Sequence, residues 1–267
     1  MSEPVTGRVI SADGTEICFD RSGTGPAVVL VHGALTGRAH PILAGVAAKL
    51  APWFSVFNYD RRGRGGSGDT APYAAEREVD DLAAVIDAAG GPAMVFGGSS
   101  GAGLAVLAAR EIRAIAKLAL WEPPYHVDPT APPLSQDFGA RLTALVGAGQ
   151  PGDAVEAFMV EAAEMPPSAV AAMRAGPAWS QAEAIAHTLA YEAAVMGPGN
   201  ALPVATLTSL TQPALVLTGQ LSPAWLTSAG RAVAAQIPDA THRVLAEQAH
   251  GVSPDALAPE LLEFFTA

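Results

Sequence analysis

The chain has 267 residues with 26 acidic against 15 basic side chains, and the resulting formal net charge of −11 repels phosphate backbones and anionic lipid surfaces, which excludes nucleic acid as an expected partner. Hydrophobic residues make up 50% and charged residues 15%, a composition that excludes disorder and suits one large domain, or a smaller one with an insertion. The sequence has neither a signal-peptide pattern nor about 18 consecutive apolar residues, so we expect a cytoplasmic protein that does not bind membranes.

Short β-rich apolar runs bounded by Gly, Pro or Asp predict the strands, and alanine-rich segments between the later runs predict helices. The first two runs are joined by Asp13-Gly14, a dipeptide typical of hairpin turns, so we expect an antiparallel start. The predicted strands, in chain order, are residues 8–11, 16–20, 27–31, 54–59, 92–96, 115–120, 214–218 and 242–246. Their alternation with helices predicts an α/β fold with a mostly parallel sheet flanked by helices.

Residues 127–203 interrupt this alternation, because apolar residues there recur at intervals that place them on one face of a helix. Within this segment Ser180 followed by Glu183 matches a capping box and predicts the start of a helix. We therefore predict that residues 127–203 form an inserted helical lid, and that the core comprises residues 1–126 and 204–267.

The segment Gly97-Gly98-Ser99-Ser100-Gly101 lies between a predicted strand and an alanine-rich predicted helix. In this context Gly-x-Ser-x-Gly is typical of a nucleophilic serine on a strained turn, where only small residues two before and two after avoid a clash. Ser99 is therefore the predicted nucleophile. Two alternatives stay open: a register shifted to Ser100, and a glycine-rich helix start without chemistry.

A serine at this position also places backbone donors beside the reacting carbonyl oxygen. The N–H of Ser100 lies at the predicted helix N-terminus, where the helix dipole favours negative charge. We expect a second donor from the loop after His32-Gly33, most naturally the backbone N–H of Ala34. These two groups form the predicted oxyanion hole.

A general base is expected late in the chain if the order of catalytic residues is serine, acid, histidine. His250 follows the last predicted strand and precedes the last predicted helix, so a loop can carry it back toward Ser99. The other histidines fall in turns, in loops, in or beside the predicted lid, or at a strand start: His32, His40, His126, His187 and His242. His250 is the predicted base.

In their order along the chain these motifs resemble those of the α/β-hydrolase superfamily. The resemblance covers nearly the whole chain outside the lid and rests on His32-Gly33, the glycine-rich turn of residues 60–68, the Ser99 segment and His250. It implies an α/β-hydrolase fold, with the turn of residues 60–68 shaping the floor beneath the nucleophile.

In many members of that superfamily the catalytic acid lies three residues after the glycine that ends the penultimate strand. Here that glycine is Gly219, and the acid position holds Ser222, which cannot orient an imidazole as a carboxylate does. Glu122 is the replacement we predict, because it ends the strand that follows the nucleophile strand, and parallel strands end at the same sheet edge.

Residues 121–124 (Trp-Glu-Pro-Pro), together with residues 98–102, resemble the fungal zearalenone lactonases, whose acid is a glutamate at this strand end. The similarity is local and does not by itself transfer the substrate. Weaker acid candidates are Asp239, Asp255 and Glu247. It also stays open whether Glu122 only bonds to backbone amides, or whether the chain has no working acid.

The sequence predicts a serine hydrolase that cleaves a carboxylic ester or lactone of a small, largely apolar molecule through an acyl-enzyme. Candidate pocket residues in the lid are Met159, Trp179, His187 and Tyr191. No cluster has metal-ligand spacing and no phosphate-binding glycine motif precedes a helix, so no metal or cofactor is expected. The alternatives are a lyase or perhydrolase-like enzyme, or a ligand-binding sensor without turnover.

Overall fold

The computed structural model describes residues 3–267, and within them one sheet of eight strands forms the centre of the molecule. The strands are β1 (Val5–Ile10), β2 (Glu16–Ser22), β3 (Ala27–Val31), β4 (Ser55–Tyr59), β5 (Ala93–Gly98), β6 (Ile115–Trp121), β7 (Ala214–Gly219) and β8 (Ala240–Leu245). Their order across the sheet is β1-β2-β4-β3-β5-β6-β7-β8. β2 pairs antiparallel with β1 and β4, and the remaining pairs are parallel.

The sheet order explains where a site can form. Every residue of β3, β4 and β7 is buried, as expected for parallel strands with both faces covered. The connection after β3 leads to β4 on one side and the connection after β5 leads to β6 on the other, so a crevice opens between the carboxyl ends of β3 and β5. The loop after β3 and the turn after β5 both lead into this crevice.

Helices cover both faces of the sheet and fill the connection between β6 and β7. The helices are α1 (Pro41–Leu50), α2 (Ala75–Ala88), α3 (Ser100–Glu111), α4 (Phe138–Gly147), α5 (Pro151–Ala157), α6 (Pro167–Arg174), α7 (Trp179–Ala184), α8 (Leu189–Met196), α9 (Val204–Ser209), α10 (Ala224–Gln236) and α11 (Pro254–Thr266). α1 and α11 pack in one hydrophobic cluster against the sheet, whereas α2, α3 and α10 pack in the other. No helix in the described part of the chain combines the length and apolar character needed to cross a membrane.

We call α4 to α8, with the turns that join them, the helical insertion. Most of its buried side chains form a hydrophobic cluster of their own, whereas Val195 and Met196 of α8 belong to one of the two clusters on the sheet. A π-helical turn, Phe158–Ala162, extends α5, and a 3-10 turn, Ala186–Thr188, precedes α8. Ala34 and Leu35, from the loop after β3, pack against this cluster, so the helical insertion contacts the crevice end of the sheet.

The capping box predicted at Ser180 is wrong. Ser180 lies inside α7, which begins at Trp179 without a side-chain cap and ends before Ile185. The Nε1 of Trp179 donates to Oε1 of Glu183 at 3.0 Å, so this carboxylate pairs with the indole instead of a backbone N–H at the helix start.

Candidate active site

Ser99 sits at the apex of the turn between β5 and α3, in a backbone conformation (φ 56°, ψ −127°) that is costly for any residue other than glycine. Its N–H donates to the carbonyl of Trp121 at 2.8 Å, which ties the turn to β6. A Cβ on Gly97 would lie 2.4 Å from the Gly101 oxygen, and one on Gly101 would lie 2.5 Å from the Val31 oxygen. The two glycines are therefore sterically required on either side of Ser99.

The neighbouring serine occupies a different environment. Ser100 is the first residue of α3, is 4% exposed, and has a hydroxyl that is buried without a hydrogen-bond partner in residues 3–267. The backbone strain falls on Ser99 alone of the two, and Ser99 is partly exposed. The geometry thus favours Ser99 over the shifted register.

Glu122 and His250 form a short contact beside this turn. Glu122 follows β6, is fully buried, and accepts a hydrogen bond from Nδ1 of His250 at its Oε2, with 2.7 Å between the atoms. Its Oε1 accepts the N–H of Gly219 at 2.7 Å. The preceding residue, Trp121, donates from Nε1 to the His250 carbonyl at 2.9 Å, so β6 holds both the ring and the backbone of His250.

The second ring nitrogen of His250 is available for proton transfer. Nε2 makes no hydrogen bond to any residue in the described range, and the His250 side chain is 48% exposed. Ser99 and His250 line the same cavity but are not hydrogen-bonded to each other. Serine–histidine pairs are often loose without a ligand and tighten when one binds, so this spacing is compatible with a base poised beside the serine.

Within residues 3–267 none of the other acid candidates forms a hydrogen bond or ion pair with His250. Ser222, at the acid position that the superfamily resemblance implies, has a buried hydroxyl without a partner among residues 3–267. Asp255 pairs with Lys49 on the surface, and the N–H of Glu247 bonds to Gln220. The one carboxylate that the described structure brings to His250 is Glu122.

The two expected backbone donors come from the loop after β3, which carries Ala34, and from the start of α3, where Ser100 lies. A Cβ on Gly33 would lie 2.9 Å from the Gly98 oxygen and 3.1 Å from Cβ of Ser99, so the loop is in contact with the Ser99 turn. Within residues 3–267 the N–H groups of Ala34 and Ser100 donate to no protein acceptor. Two unpaired donors next to a serine can stabilise negative charge on a substrate oxygen.

His32, at the start of this loop, does not act as a base. Its Nε2 lies 2.6 Å from Oδ1 of Asn58 and the residue is 2% exposed. Burial lowers the pKa of His32 to about 4, and the bond to Asn58 opposes this shift without overcoming it. The imidazole therefore stays neutral at physiological pH and has a structural role.

A cavity of about 310 Å³ opens above Ser99, Ser100 and His250. Its walls come from the helical insertion, from the loop after β6 and from α10, and include Leu134, Phe138, Phe158, Met165, Trp225 and Leu226. Nε1 of Trp225 donates to Oε2 of Glu164 at 2.5 Å, a bond that joins α10 to the helical insertion across the cavity wall. The polar lining residues beyond the Ser99 turn and His250 are Glu192 and Asn200.

The four candidate pocket residues in the predicted lid do not line this cavity. Met159 and Trp179 are buried in the hydrophobic cluster of the helical insertion. Tyr191 donates to Oδ2 of Asp69 at 2.8 Å, and Nε2 of His187 lies 3.4 Å from the same oxygen. This corrects the prediction: these side chains serve the packing and outer surface of the insertion.

For Met159 the correction has a physical cause in the helix geometry. The π-helical turn at Phe158–Ala162 contains an extra residue per turn, so the faces expected of a regular α-helix shift within it. Phe158 and Met165 line the cavity, whereas Met159 packs in the hydrophobic cluster of the insertion. Trp225 was missed because it lies on α10, outside the segment predicted to be the lid.

Comparison with known proteins gives a consistent result across the chain. A family model described as the alpha/beta hydrolase family matches residues 28–258. The crystal structure of an alpha/beta hydrolase from Sphaerobacter thermophilus DSM 20745 is 54% identical, covers 97% of this chain and 100% of that chain, and superposes with a TM-score of 0.90.

Two further proteins are similar to this chain, one at lower sequence identity and one over a shorter segment. The enol-lactonase from Burkholderia xenovorans LB400 is 22% identical, with 98% of this chain and 100% of that chain covered and a TM-score of 0.74, a likeness of fold. YraK of Bacillus subtilis (strain 168), an uncharacterized hydrolase, is 37% identical over 100 residues. That match spans 35% of this chain and 35% of YraK, well under two thirds of its length.

Proposed function

This chain belongs to the alpha/beta hydrolase family, and we propose that it is a serine hydrolase that cleaves a carboxylic ester or lactone through an acyl-enzyme. The observation that carries the proposal is the 2.7 Å contact between the buried Glu122 and Nδ1 of His250, beside the strained Ser99. A carboxylate on Nδ1 fixes the tautomer that leaves Nε2 able to accept a proton. The Ser99, Glu122 and His250 arrangement is thus suited to nucleophilic catalysis.

In the proposed first half-reaction, Nε2 of His250 takes the proton of Ser99 as its Oγ bonds to the substrate carbonyl carbon. The carbonyl oxygen becomes negatively charged and accepts hydrogen bonds from the N–H groups of Ala34 and Ser100. The C–O bond to the leaving alcohol then breaks, and the alcohol oxygen takes the proton from His250. Ser99 is left acylated.

In the second half-reaction, His250 takes a proton from water as the water oxygen attacks the acyl carbon. The same two N–H groups stabilise the second oxyanion. The bond to Oγ breaks, Ser99 recovers its proton from His250, and the carboxylic acid leaves. Glu122 stays ionised and stabilises the imidazolium in both halves.

The cavity supports a small, uncharged and largely apolar substrate. Its large wall residues are apolar, its volume is about 310 Å³, and the chain as a whole carries a net charge of −11 that disfavours anions. We propose that residues 127–203 act as a lid over this substrate, since helices of this segment supply much of the cavity wall. A lactone is within the proposed range because an enol-lactonase shares the fold.

Labelling with a fluorophosphonate probe tests the nucleophile directly. We expect one covalent adduct on Ser99 by intact mass and peptide mapping, and turnover of short-chain esters or lactones in a substrate panel. Ser99→Ala should abolish both, whereas Ser100→Ala, which keeps its backbone N–H, should retain both. Labelling at Ser100, or none at all, would refute the assignment, and ligand-induced stabilisation without turnover would support a sensor instead.

A further inference from the structure

A buried ion cluster lies behind the loop that carries Ala34. Arg61 and Arg64 come from the turn after β4, and Glu192 comes from α8 of the helical insertion; all three side chains are at most 2% exposed. Nη1 of Arg61 lies 2.9 Å from Oε2 of Glu192, and Nη2 of Arg64 donates to Oε1 of the same carboxylate. One glutamate of the insertion thus pairs with two arginines of the core.

Both arginines also donate to the backbone of the loop after β3. Nη1 of Arg64 donates to the Gly33 carbonyl at 2.6 Å, and Nη1 of Arg61 donates to the His32 carbonyl at 3.1 Å. Arg64 reaches the carbonyl of Thr36 as well, at 3.3 Å. The cluster therefore holds the first carbonyls of the loop from one side.

The hydrogen bond from Arg64 to the Gly33 carbonyl also fixes the direction of the next N–H group, that of Ala34. The peptide bond between Gly33 and Ala34 is trans, so the Gly33 C=O and the Ala34 N–H point in opposite directions from one rigid plane. When Arg64 holds the oxygen, the N–H must face away from the arginine. Gly33 itself is in contact with the Ser99 turn, so a rotation of this plane would move the donor beside the nucleophile.

We propose that Arg64, held in place by Glu192, is a positioning residue that orients the Gly33–Ala34 peptide so that the Ala34 N–H serves the oxyanion hole. This inference rests on the function proposed above. It gives the turn of residues 60–68 a role in the reaction and makes the docking of α8 a condition for an assembled oxyanion hole.

Glu192 is required in this arrangement because the positively charged side chains of Arg61 and Arg64 are both buried beside it, away from water. Burial lowers the pKa of Arg64 to about 9, and the neighbouring Arg61 adds to this shift. Arg61 is balanced by a second buried carboxylate, Glu78, at 2.6 and 2.8 Å. Glu192 compensates the remaining charge and at the same time sets the position of the Arg64 guanidinium.

The direct test is Arg64→Lys, with Arg62→Lys as its matched control. Lysine keeps the positive charge but lacks the planar fork that reaches Gly33, Thr36 and Glu192 together. Arg62 is an equally buried arginine of the same turn, and it bonds to Asp13, Asp81 and the carbonyl of Arg77 instead of the loop. Both changes disturb a buried ion pair, but only Arg64→Lys removes contacts to the loop after β3. The comparison of the two variants therefore separates a loss of stability from a loss of orientation of the Gly33–Ala34 peptide.

We expect Arg64→Lys to lower kcat for an ester by about 10²-fold with KM nearly unchanged, the effect of losing one oxyanion donor. Its affinity for a boronic acid, which forms a tetrahedral adduct on Ser99, should fall in parallel. The pH dependence of kcat/KM should keep the limb that reports on the base. Arg62→Lys should keep the wild-type kcat per fluorophosphonate-reactive site. Equal kcat in the two variants would overturn the inference.

Two further measurements keep the inference testable. If Arg64→Lys does not fold, Glu192→Asp keeps the charge and withdraws the carboxylate by one methylene, and we expect about a 10-fold loss of kcat as one hydrogen bond weakens.

In ¹⁵N NMR spectra of the unliganded protein, the Ala34 amide signal should shift in Arg64→Lys and stay in place in Arg62→Lys. An unchanged Ala34 signal refutes the inference, whereas a shifted signal in a protein without esterase activity refutes only the proposed function.

Discussion

Two buried glutamates approach the Ser99 turn from different sides, and their partners differ in kind. Glu122 ends β6 and pairs with His250, whose side chain is 48% exposed. Glu192 lies on α8 and pairs with Arg61 and Arg64, which are 1% and 2% exposed. Both carboxylates are almost completely removed from water, but only the first pairs with an imidazole, the side chain that most often serves as a general acid or base.

The difference separates two tasks that a hydrolase site must perform. On the Glu122 side, an accessible imidazole can transfer protons between serine, leaving group and water. On the Glu192 side, the arginines stay charged and can only hold dipoles in place, here the carbonyls of His32 and Gly33. The comparison predicts that the first side controls proton transfer and the second controls geometry and stability.

The largest expected effect is on the proton-transfer side. Glu122→Gln replaces the carboxylate with an amide that can donate to Nδ1 and so favour the wrong tautomer, and we expect kcat to fall by about 10⁴-fold. Steady-state kinetics on a hydrolysed ester measure it. The matched control is Ser222→Ala, at the acid position that the superfamily resemblance implies, which should change kcat by less than a few-fold. Comparable losses in both variants would remove Glu122 from the proposed triad.

The second-largest expected effect is a loss of folding stability on the Glu192 side. Glu192→Gln leaves two buried arginines with reduced compensation, and breaking a buried ion pair from one side costs about 3–5 kcal/mol. Denaturant unfolding measures the loss. The control is Glu263→Gln, whose partner Arg243 lies on the surface, and exposed pairs contribute at most about 1 kcal/mol. If Glu192→Gln cost no more than this control, the two glutamates would not differ as the structure indicates.

The same comparison shows which parts of the site can be predicted from the sequence. The α/β-hydrolase fold follows from the order of the motifs and is confirmed. Close backbone contacts restrict positions 97 and 101 to glycine, so a local pattern marks the Ser99 turn. The Glu122 to His250 contact follows from the rule that parallel strands end at one edge of the sheet, and the structure brings the two side chains together.

The Glu192 side was not predictable because it depends on contacts between distant segments. Glu192 is 131 residues from Arg61 and 128 from Arg64, and a single glutamate in an alanine-rich helix is ordinarily expected to face solvent. Helical spacing indicated which residues of the insertion share a face, but the π-helical turn at Phe158–Ala162 changed which face meets the cavity. Local patterns therefore predicted the Ser99 turn and the Glu122 to His250 contact, and missed the cavity walls and the arginine cluster.

The smallest of these effects concerns His32, which lies on the Glu192 side and contrasts with His250. Since burial lowers the pKa of His32 from 6.5 to about 4, the unfolded chain binds a proton between these values that the folded protein excludes. Stability from this residue is complete above pH 6.5 and is lost as the pH falls toward 4, by about 2 kcal/mol between pH 7.5 and 5.

Replacing His32 with glutamine, which can still bond to Asn58, removes this proton linkage. Unfolding free energies of both proteins at pH 7.5 and pH 5 measure it, and the contributions of all other groups cancel in the difference between the two proteins. We expect the wild type to lose about 2 kcal/mol more than His32→Gln on acidification. An equal loss would mean that His32 is protonated in the folded protein. The Glu192 side would then titrate as well, and proton transfer and geometry would no longer be divided between the two sides of Ser99.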